Sequence, residues 1–142
     1  FVGSLGATPD GRTKAMLVSD GGVSPAQGRD KLGPTAEMIS VAHLNHFEAT
    51  NGALLNVKFH PSAVKGEEGL KNLISITDTF FQMGAQHVQY NIVDSAMLRD
   101  AQIHPENYRD LVVRVAGFSV LFTTLDTVLQ NDIIERTMHA SM

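Results

Sequence analysis

The sequence predicts an α/β fold, because strand-like and helix-like segments alternate along the chain beyond residue 53. The strand candidates are short apolar runs at 53–59, 86–93 and 111–115, rich in β-branched and aromatic residues. The segments between and after them repeat apolar residues near the helical period. Such alternation is typical of α/β proteins with parallel strand pairing, so we expect at least one parallel pair.

The helix candidates have recognisable ends. The first, 67–84, begins with two glutamates and ends at a glycine, which suits the two poles of a helix. The second, SAMLRDAQIH, stops before a proline, and the third is TVLQNDIIERTMH. The cap candidates are Asp94 or Ser95 for the second helix and Thr124 or Asp126 for the third.

The strand candidate 86–93 has two different faces. His87, Gln89 and Asn91 alternate with Val88, Tyr90 and Ile92. The polar face is explained either by an internal hydrogen-bond network that fixes a neighbouring loop or by the lining of an active-site cavity. We favour the network, because polar groups in a core more often serve structure.

The first third of the chain is rich in turn formers. GATPDGR, DGGVSP and the Asn-Gly pair at 51–52 are turn signals, and only 36–44 suggests a short strand or helix. We therefore expect 1–52 to be a loop-rich segment that belongs to a larger body, and 53–142 to be a C-terminal domain.

Composition excludes several classes of function. The net charge of −4 and the lack of a Lys/Arg run argue against nucleic-acid binding, and no apolar run could cross a membrane. We therefore expect a soluble, cytoplasmic protein. The sequence contains no cysteine, which excludes a disulfide, a thiolate metal site and a thiol nucleophile within the chain.

Two weaker signals favour ordinary structural roles. His43, His46 and Glu48 could present metal ligands on one helical face, but no third ligand has a recognisable spacing. The glycines at 3, 6 and 11 lack the spacing and the preceding strand of a phosphate-binding loop. We expect no metal and no bound cofactor.

Gly117 interrupts the apolar run RVAGFSVLF at residues 114–122. A glycine inside a strand marks a bulge, a bend or a close backbone approach. The residues alone leave two interpretations open. Gly117 either serves the backbone as a bulge or tight turn, or its missing side chain is itself the chemistry.

The surrounding motifs resemble the C-terminal signature of glycyl radical enzymes. That signature is RVAGF followed by a helix carrying QNDIIERT, here Arg114–Phe118 and Gln130–Thr137. GATPDGR, DGGVSP, GPTA, LLNVKF, HVQYN and HPENYRDLVVRVAG also look like the last part of these enzymes. The resemblance therefore covers essentially the whole chain.

The resemblance implies that Gly117 stores a radical on its α-carbon. A radical between an amide nitrogen and a carbonyl is delocalised when its centre is planar, and a Cβ would crowd that arrangement. The supporting residues implied by the motif are Arg114, Val115, Ala116, Phe118 and Ser119. We expect Arg114 to anchor the loop by pairing with a carboxylate, and Val115 and Phe118 to pack around the site.

The resemblance also implies a parent enzyme and its partners. Its fold would be a ten-stranded α/β barrel made of two half-barrels, of which this chain is the C-terminal part. A radical S-adenosylmethionine activase with an iron–sulfur cluster would install the radical, which then passes to a cysteine in the remainder of the catalytic subunit. The thiyl radical would act on a small-molecule substrate in an anaerobic, oxygen-sensitive lyase, within a homodimeric parent.

Because the chain begins with Phe1 and lacks that cysteine, we expect a fragment that is inactive by itself. Ala116 and Phe118 stand where formate-lyase members favour Ser and Tyr. This favours the branch of dehydratases, C–N and C–S lyases and decarboxylases. The alternatives are a stand-alone spare part that repairs an oxygen-damaged enzyme, a fumarate-adding or formate-lyase-type acyltransferase, and an α/β domain in which Gly117 is only a bulge.

Overall fold

A computed structural model describes residues 5–9, 11–14, 16, 18–115, 117–136 and 138–140. The chain is mixed α/β, as predicted. No helix in these ranges is long and apolar enough to cross a bilayer. The elements are α1 (Pro34–Ala42), β1 (Leu54–Phe59), α2 (Gly66–Gln82), β2 (His87–Ile92), α3 (Ser95–Ile103), β3 (Val112–Arg114), β4 (Ser119–Leu121) and α4 (Thr127–Glu135).

The strands form two separate pairs. β1 and β2 are parallel, with Leu54 opposite His87 and Phe59 opposite Ile92, and α2 makes the connection between them. This confirms the predicted parallel pair. β3 and β4 form an antiparallel hairpin in which Arg114 is opposite Ser119. The predicted strand or helix at 36–44 is a helix, α1.

The helix starts at α3 and α4 and the end of α2 follow the sequence signals, whereas α4 ends at Glu135 and not at His139 as predicted, because His139 forms a β-bridge with Phe59. The Asp94 carboxylate accepts the N–H of Ala96 at 2.8 Å, and the Asp126 carboxylate accepts the N–H of Leu129 at 2.9 Å. Each aspartate therefore caps the first turn of its helix, α3 and α4 respectively. Gly84 follows α2 with a φ of 95°, a conformation that a residue with a Cβ adopts only under strain.

Two apolar cores lie side by side along the chain. The first is built by α1, β1 and α2 around Leu55, Phe59 and Phe80. The second is built by α3, the β3–β4 hairpin and α4 around Leu98, Phe122 and Ile133. The hairpin that carries Gly117 therefore belongs to the second core.

Lys58 of β1 connects the two cores. Its buried Nζ donates to the carbonyls of Ile133 and Ile134, at 3.1 and 3.0 Å, and to the Ser95 hydroxyl at 3.2 Å. The two carbonyls belong to the last turn of α4, where a cation compensates the helix dipole. Burial, followed by the charge of Arg136, lowers the pKa of Lys58 to about 8.

Replacing Gly69 of α2 by alanine should destabilise the protein. The new Cβ would collide with the backbone of Val64, which cannot move away as a side chain could. We expect the free energy of unfolding to fall by about 1–3 kcal/mol, although alanine is the better helix former. Urea unfolding followed by circular dichroism measures the change. Gly22→Ala, whose Cβ would have only an ordinary contact at 3.9 Å, is the control, and a stabilised Gly69→Ala protein would contradict the packing.

Lys58→Met should change how stability depends on pH. The folded pKa of Lys58 is about 8, against an ordinary lysine pKa of 10.5, so between these values the unfolded chain binds a proton that the folded chain lacks. The unfolding free energy of the wild type, minus that of Lys58→Met, should therefore rise as the pH increases from 8 to 10.5. Urea unfolding at several pH values measures it, with Lys71→Met on the exposed face of α2 as the control. A flat difference would argue against a buried ammonium group.

Candidate functional site

Gly117 lies where the β3–β4 hairpin reverses direction. The N–H of Val115 donates to the carbonyl of Phe118 at 3.0 Å, which closes the turn, and Gly117 has a φ of 79°. Tight hairpin turns require residues with positive φ, and glycine adopts such angles at no steric cost. The local backbone is thus a tight hairpin turn. Ala116, and Thr137 of the helix motif, lie outside the described residues.

Space around Gly117 is open. Gly117 is exposed, and a Cβ added to it would meet no described atom within 4 Å. Glycine is therefore favoured here by its positive φ angle and not by a lack of space for a side chain. Val115 is buried in the second core, as expected, but Phe118 is 53% exposed. Phe118 lies at the hairpin tip beyond the last strand pair, and its packing around the site of the parent enzyme stays a prediction.

The Arg114 side chain spans from β2 to β4. Its Nε donates to Oε1 of Gln89 at 2.9 Å, and one terminal nitrogen donates to the Ser119 hydroxyl at 3.2 Å. The expected carboxylate partner is wrong: in the described part of the chain, Arg114 binds an amide and a hydroxyl. The reason is that the facing strand presents Gln89 and Asn91 rather than an acid.

The Asn91 side chain binds the backbone of Arg114. Its Nδ2 donates to the carbonyl of Arg114 at 2.8 Å, and its Oδ1 accepts the N–H of Arg114 at 3.2 Å. Asn91 is buried, and its amide binds both the N–H and the carbonyl of Arg114, as the backbone of a neighbouring strand would. The predicted hydrogen-bond network is therefore confirmed for Gln89 and Asn91. His87, the third residue of the predicted polar face, is exposed at the start of β2.

Arg136 supports the hairpin from the opposite side. Its guanidinium donates to the carbonyl of Val115 at 2.9 Å and pairs with Asp132 at 2.8 Å and with Asp20 at 3.2 Å. The pKa of Asp20 is raised because burial outweighs the attraction of Arg136. Sequence reasoning noted Arg136 only as part of a motif and missed Asp20. The i,i+4 spacing of Asp132 and Arg136 was the one available signal.

A small charged cavity lies beside Arg136. Its lining brings together the loop near Asp20, the polar side of β1 and the residues that follow α4. The volume is about 40 Å³, enough for a few water molecules but far below the size of ordinary ligand pockets. This cavity is therefore no substrate pocket by itself.

Asp30, Glu37 and His139 meet in this cavity, with ligand atoms within 4.8 Å of one another. Nε2 of His139 lies 3.0 Å from Glu37 and 3.9 Å from Asp30, and burial raises the pKa of Glu37. The donor types could hold a metal ion. However, Lys58 and Arg136 line the same cavity and already supply positive charge, so we interpret the group as a buried charge network.

The histidine pair considered from the sequence is not brought together as a site. His46 is buried, with Nε2 at 2.9 Å from the carbonyl of Val41, whereas His43 is exposed at the end of α1. The charge network was missed because His139 is 102 residues from Glu37 along the chain.

A family model described as "Glycine radical" matches residues 19–123, a range that includes the whole β3–β4 hairpin. Among curated proteins, the chain is 48% identical over 137 residues to an indoleacetate decarboxylase of Tractidigestivibacter scatoligenes. It is 46% identical over 133 residues to a trans-4-hydroxy-L-proline dehydratase of Clostridioides difficile. These alignments cover 96% and 94% of this chain but only 16% and 17% of the relatives.

Similar solved structures include dehydratases. The glycerol-bound form of the B12-independent glycerol dehydratase from Clostridium butyricum superposes with a TM-score of 0.92 at 52% identity, over 98% of this chain and 18% of that chain. The hydroxyproline dehydratase of Clostridioides difficile superposes with a TM-score of 0.89 at 44% identity, over 98% of this chain and 17% of that chain. The chain therefore belongs to the glycine radical family, whose members here are glycyl radical dehydratases and decarboxylases.

Proposed function

We propose that this chain is the C-terminal portion of a glycyl radical enzyme and that Gly117 stores its radical. The observation that carries the proposal is the position of Gly117, within the family match and at the exposed tip of a hairpin whose base is held by hydrogen bonds. A glycine has no Cβ beside its α-hydrogens, so an activating partner that removes one of them meets no side chain of that residue. The same backbone can then become planar without moving a side chain.

The proposed chemistry consists of two hydrogen transfers at Gly117. A radical S-adenosylmethionine activase with an iron–sulfur cluster removes one α-hydrogen from Gly117. During turnover Gly117 takes a hydrogen atom from a cysteine thiol, which leaves a thiyl radical to attack the substrate. Since the sequence has no cysteine, that thiol must come from outside these residues, and the chain should be inactive by itself.

The reaction class is proposed from the relatives. Their names describe decarboxylases and dehydratases, so we favour anaerobic dehydration, decarboxylation or C–N or C–S cleavage of a small molecule. A fumarate-adding or formate-lyase-type acyltransferase is the alternative. The substrate pocket would lie mainly in the remainder of the catalytic subunit, because this chain spans only 16% and 17% of these two relatives.

The parent would be a cytoplasmic homodimer. Its ten-stranded barrel of two half-barrels would include the parallel β1–β2 pair. Residues 1–52 would belong to the larger body, and 53–142 would form the glycine-radical domain.

A stand-alone spare part is the second candidate. Two apolar clusters are buried within the described part of this chain, which is what a separately folding radical carrier would need. Such a protein would dock onto an oxygen-damaged enzyme and replace its glycine-radical region.

Gly117→Ala should abolish the radical without unfolding the protein. An alanine Cβ would meet no described atom within 4 Å, so the cost is the left-handed backbone at φ 79°, about 1–2 kcal/mol. We expect the full-length parent, incubated anaerobically with its activase, S-adenosylmethionine and a reductant, to give an electron paramagnetic resonance doublet. The variant should give none.

Gly84→Ala is the matched control. Gly84 has a φ of 95° and similar open space, so the substitution carries the same kind of strain away from the hairpin. Its doublet should be intact, and air should cleave its activated chain at residue 117, as in the wild type. A doublet that survives in Gly117→Ala would refute the assignment. A doublet from the isolated chain would favour the spare part.

A further inference from the structure

We propose that Asn91 is a positioning residue that sets where the α-carbon of Gly117 lies during hydrogen transfer. It acts with Gln89 and Arg136, and we call these three residues the hairpin clamp. The inference rests on the proposed radical role of Gly117. It adds a task for residues of β2 that none of the sequence motifs assigned.

The hairpin needs an outside support. Its ladder has only the pairs from Val112–Leu121 to Arg114–Ser119, and a short two-stranded hairpin is marginal by itself in water. Gly117 lies beyond the last of these pairs. Any tilt of the hairpin base therefore moves the α-carbon, so its position depends on the anchoring of residues 114 and 115 together with the packing of the hairpin in the second core.

The Asn91 amide supplies that anchor to the backbone. It offers one donor and one acceptor to a single residue, and the two distances to Arg114 are 2.8 and 3.2 Å. A carboxylate of the same shape keeps the acceptor but loses the donor, and an alanine loses both. The buried position makes an unmet carbonyl of Arg114 costly. The chemistry of this contact therefore specifies an amide.

Arg114 extends the anchor to the second strand. Gln89 fixes its Nε, while another nitrogen binds the Ser119 hydroxyl two residues after Gly117. The clamp thus holds the chain on both sides of the turn. No described atom lies within 4 Å of the place where a Gly117 Cβ would be, so the α-carbon is positioned without being covered.

Arg136 completes the clamp from α4. Its hydrogen bond to the carbonyl of Val115 holds the last described residue before the turn. Asp132 and Asp20 balance its charge, so the contact with Val115 does not require an uncompensated buried cation. The hairpin is therefore fixed between β2 and α4.

Hydrogen transfer between Gly117 and a thiol depends steeply on the distance between the two groups. A misplacement of about 1 Å can lower a rate about 100-fold. Weakening the clamp should leave Gly117 able to receive a radical, since Asn91 and Arg136 contact the backbone of Arg114 and Val115 and not Gly117 itself. The same change should slow each turnover that the stored radical supports.

The test uses the activated full-length parent with Asn91→Asp and Asn91→Ala. Radical content per chain comes from paramagnetic resonance, and turnover is divided by that content. We expect a radical content near that of the wild type, an unchanged KM and a turnover per radical that is about 10–100-fold lower. Amide hydrogen exchange of residues 112–121 should be faster before activation. Asn72→Asp, an exposed change on α2, is the control.

Gln89 supplies a second, milder pair of variants. Gln89→Leu removes the acceptor for Arg114 but leaves both backbone hydrogen bonds of Asn91, so it tests the clamp if the Asn91 variants fail to fold. Gln89→Glu keeps the acceptor, and the amide nitrogen that it replaces has no partner among the described residues. We expect turnover per radical to fall in Gln89→Leu and to be retained in Gln89→Glu.

The outcomes separate this inference from the proposed function. A wild type that never gains a radical would refute both. A wild type with a normal radical, together with unchanged turnover per radical in folded Asn91→Ala and Gln89→Leu enzymes, would refute the clamp alone. Equal losses of turnover per radical in Gln89→Leu and Gln89→Glu would also overturn it, because the acceptor oxygen that binds Arg114 would then make no difference.

Discussion

The buried guanidinium of Arg136 is the interaction on which the rest of the site depends. It joins the loop at Asp20, the helix α4 at Asp132 and the glycine hairpin at Val115. A buried charge is tolerated only while its partners remain, since removing one leaves an uncompensated ion. The three segments are therefore held as one unit, although they are distant in the sequence. The orientation of the hairpin follows from this unit and from the amides of β2.

This arrangement combines a firm base with an open tip. Hydrogen bonds from Asn91 and Arg136 hold the residues before the turn, whereas Gly117 itself is exposed. The firm base suits the proposed radical store, in which the α-carbon of Gly117 must lie at a fixed place when a thiol approaches it. Lys58 adds a link from the parallel strand pair to the end of α4. The hairpin is thereby tied to both apolar cores.

Much of the fold could be predicted because its signals are local. The capping aspartates, Gly84 and the apolar periodicity of α2 each act within a turn or two of the chain, and the structure has them as expected. The polar face of β2 also predicted a network. The amide and hydroxyl partners of Arg114 and the exposure of Phe118 within this chain were not predicted. Both depend on what faces a side chain from another element, which local periodicity does not encode.

The sequence by itself determined the α/β alternation, the family and the place of the glycine within its motif. Only the tertiary structure decided how that glycine is held. Asn91 and Arg114 are 23 residues apart, and Glu37 and His139 are 102 apart, yet each pair is in hydrogen-bond contact. Such contacts arise when buried polar groups must find partners as the apolar cores close. Which partner each group finds is a consequence of packing, and no spacing along the chain records it.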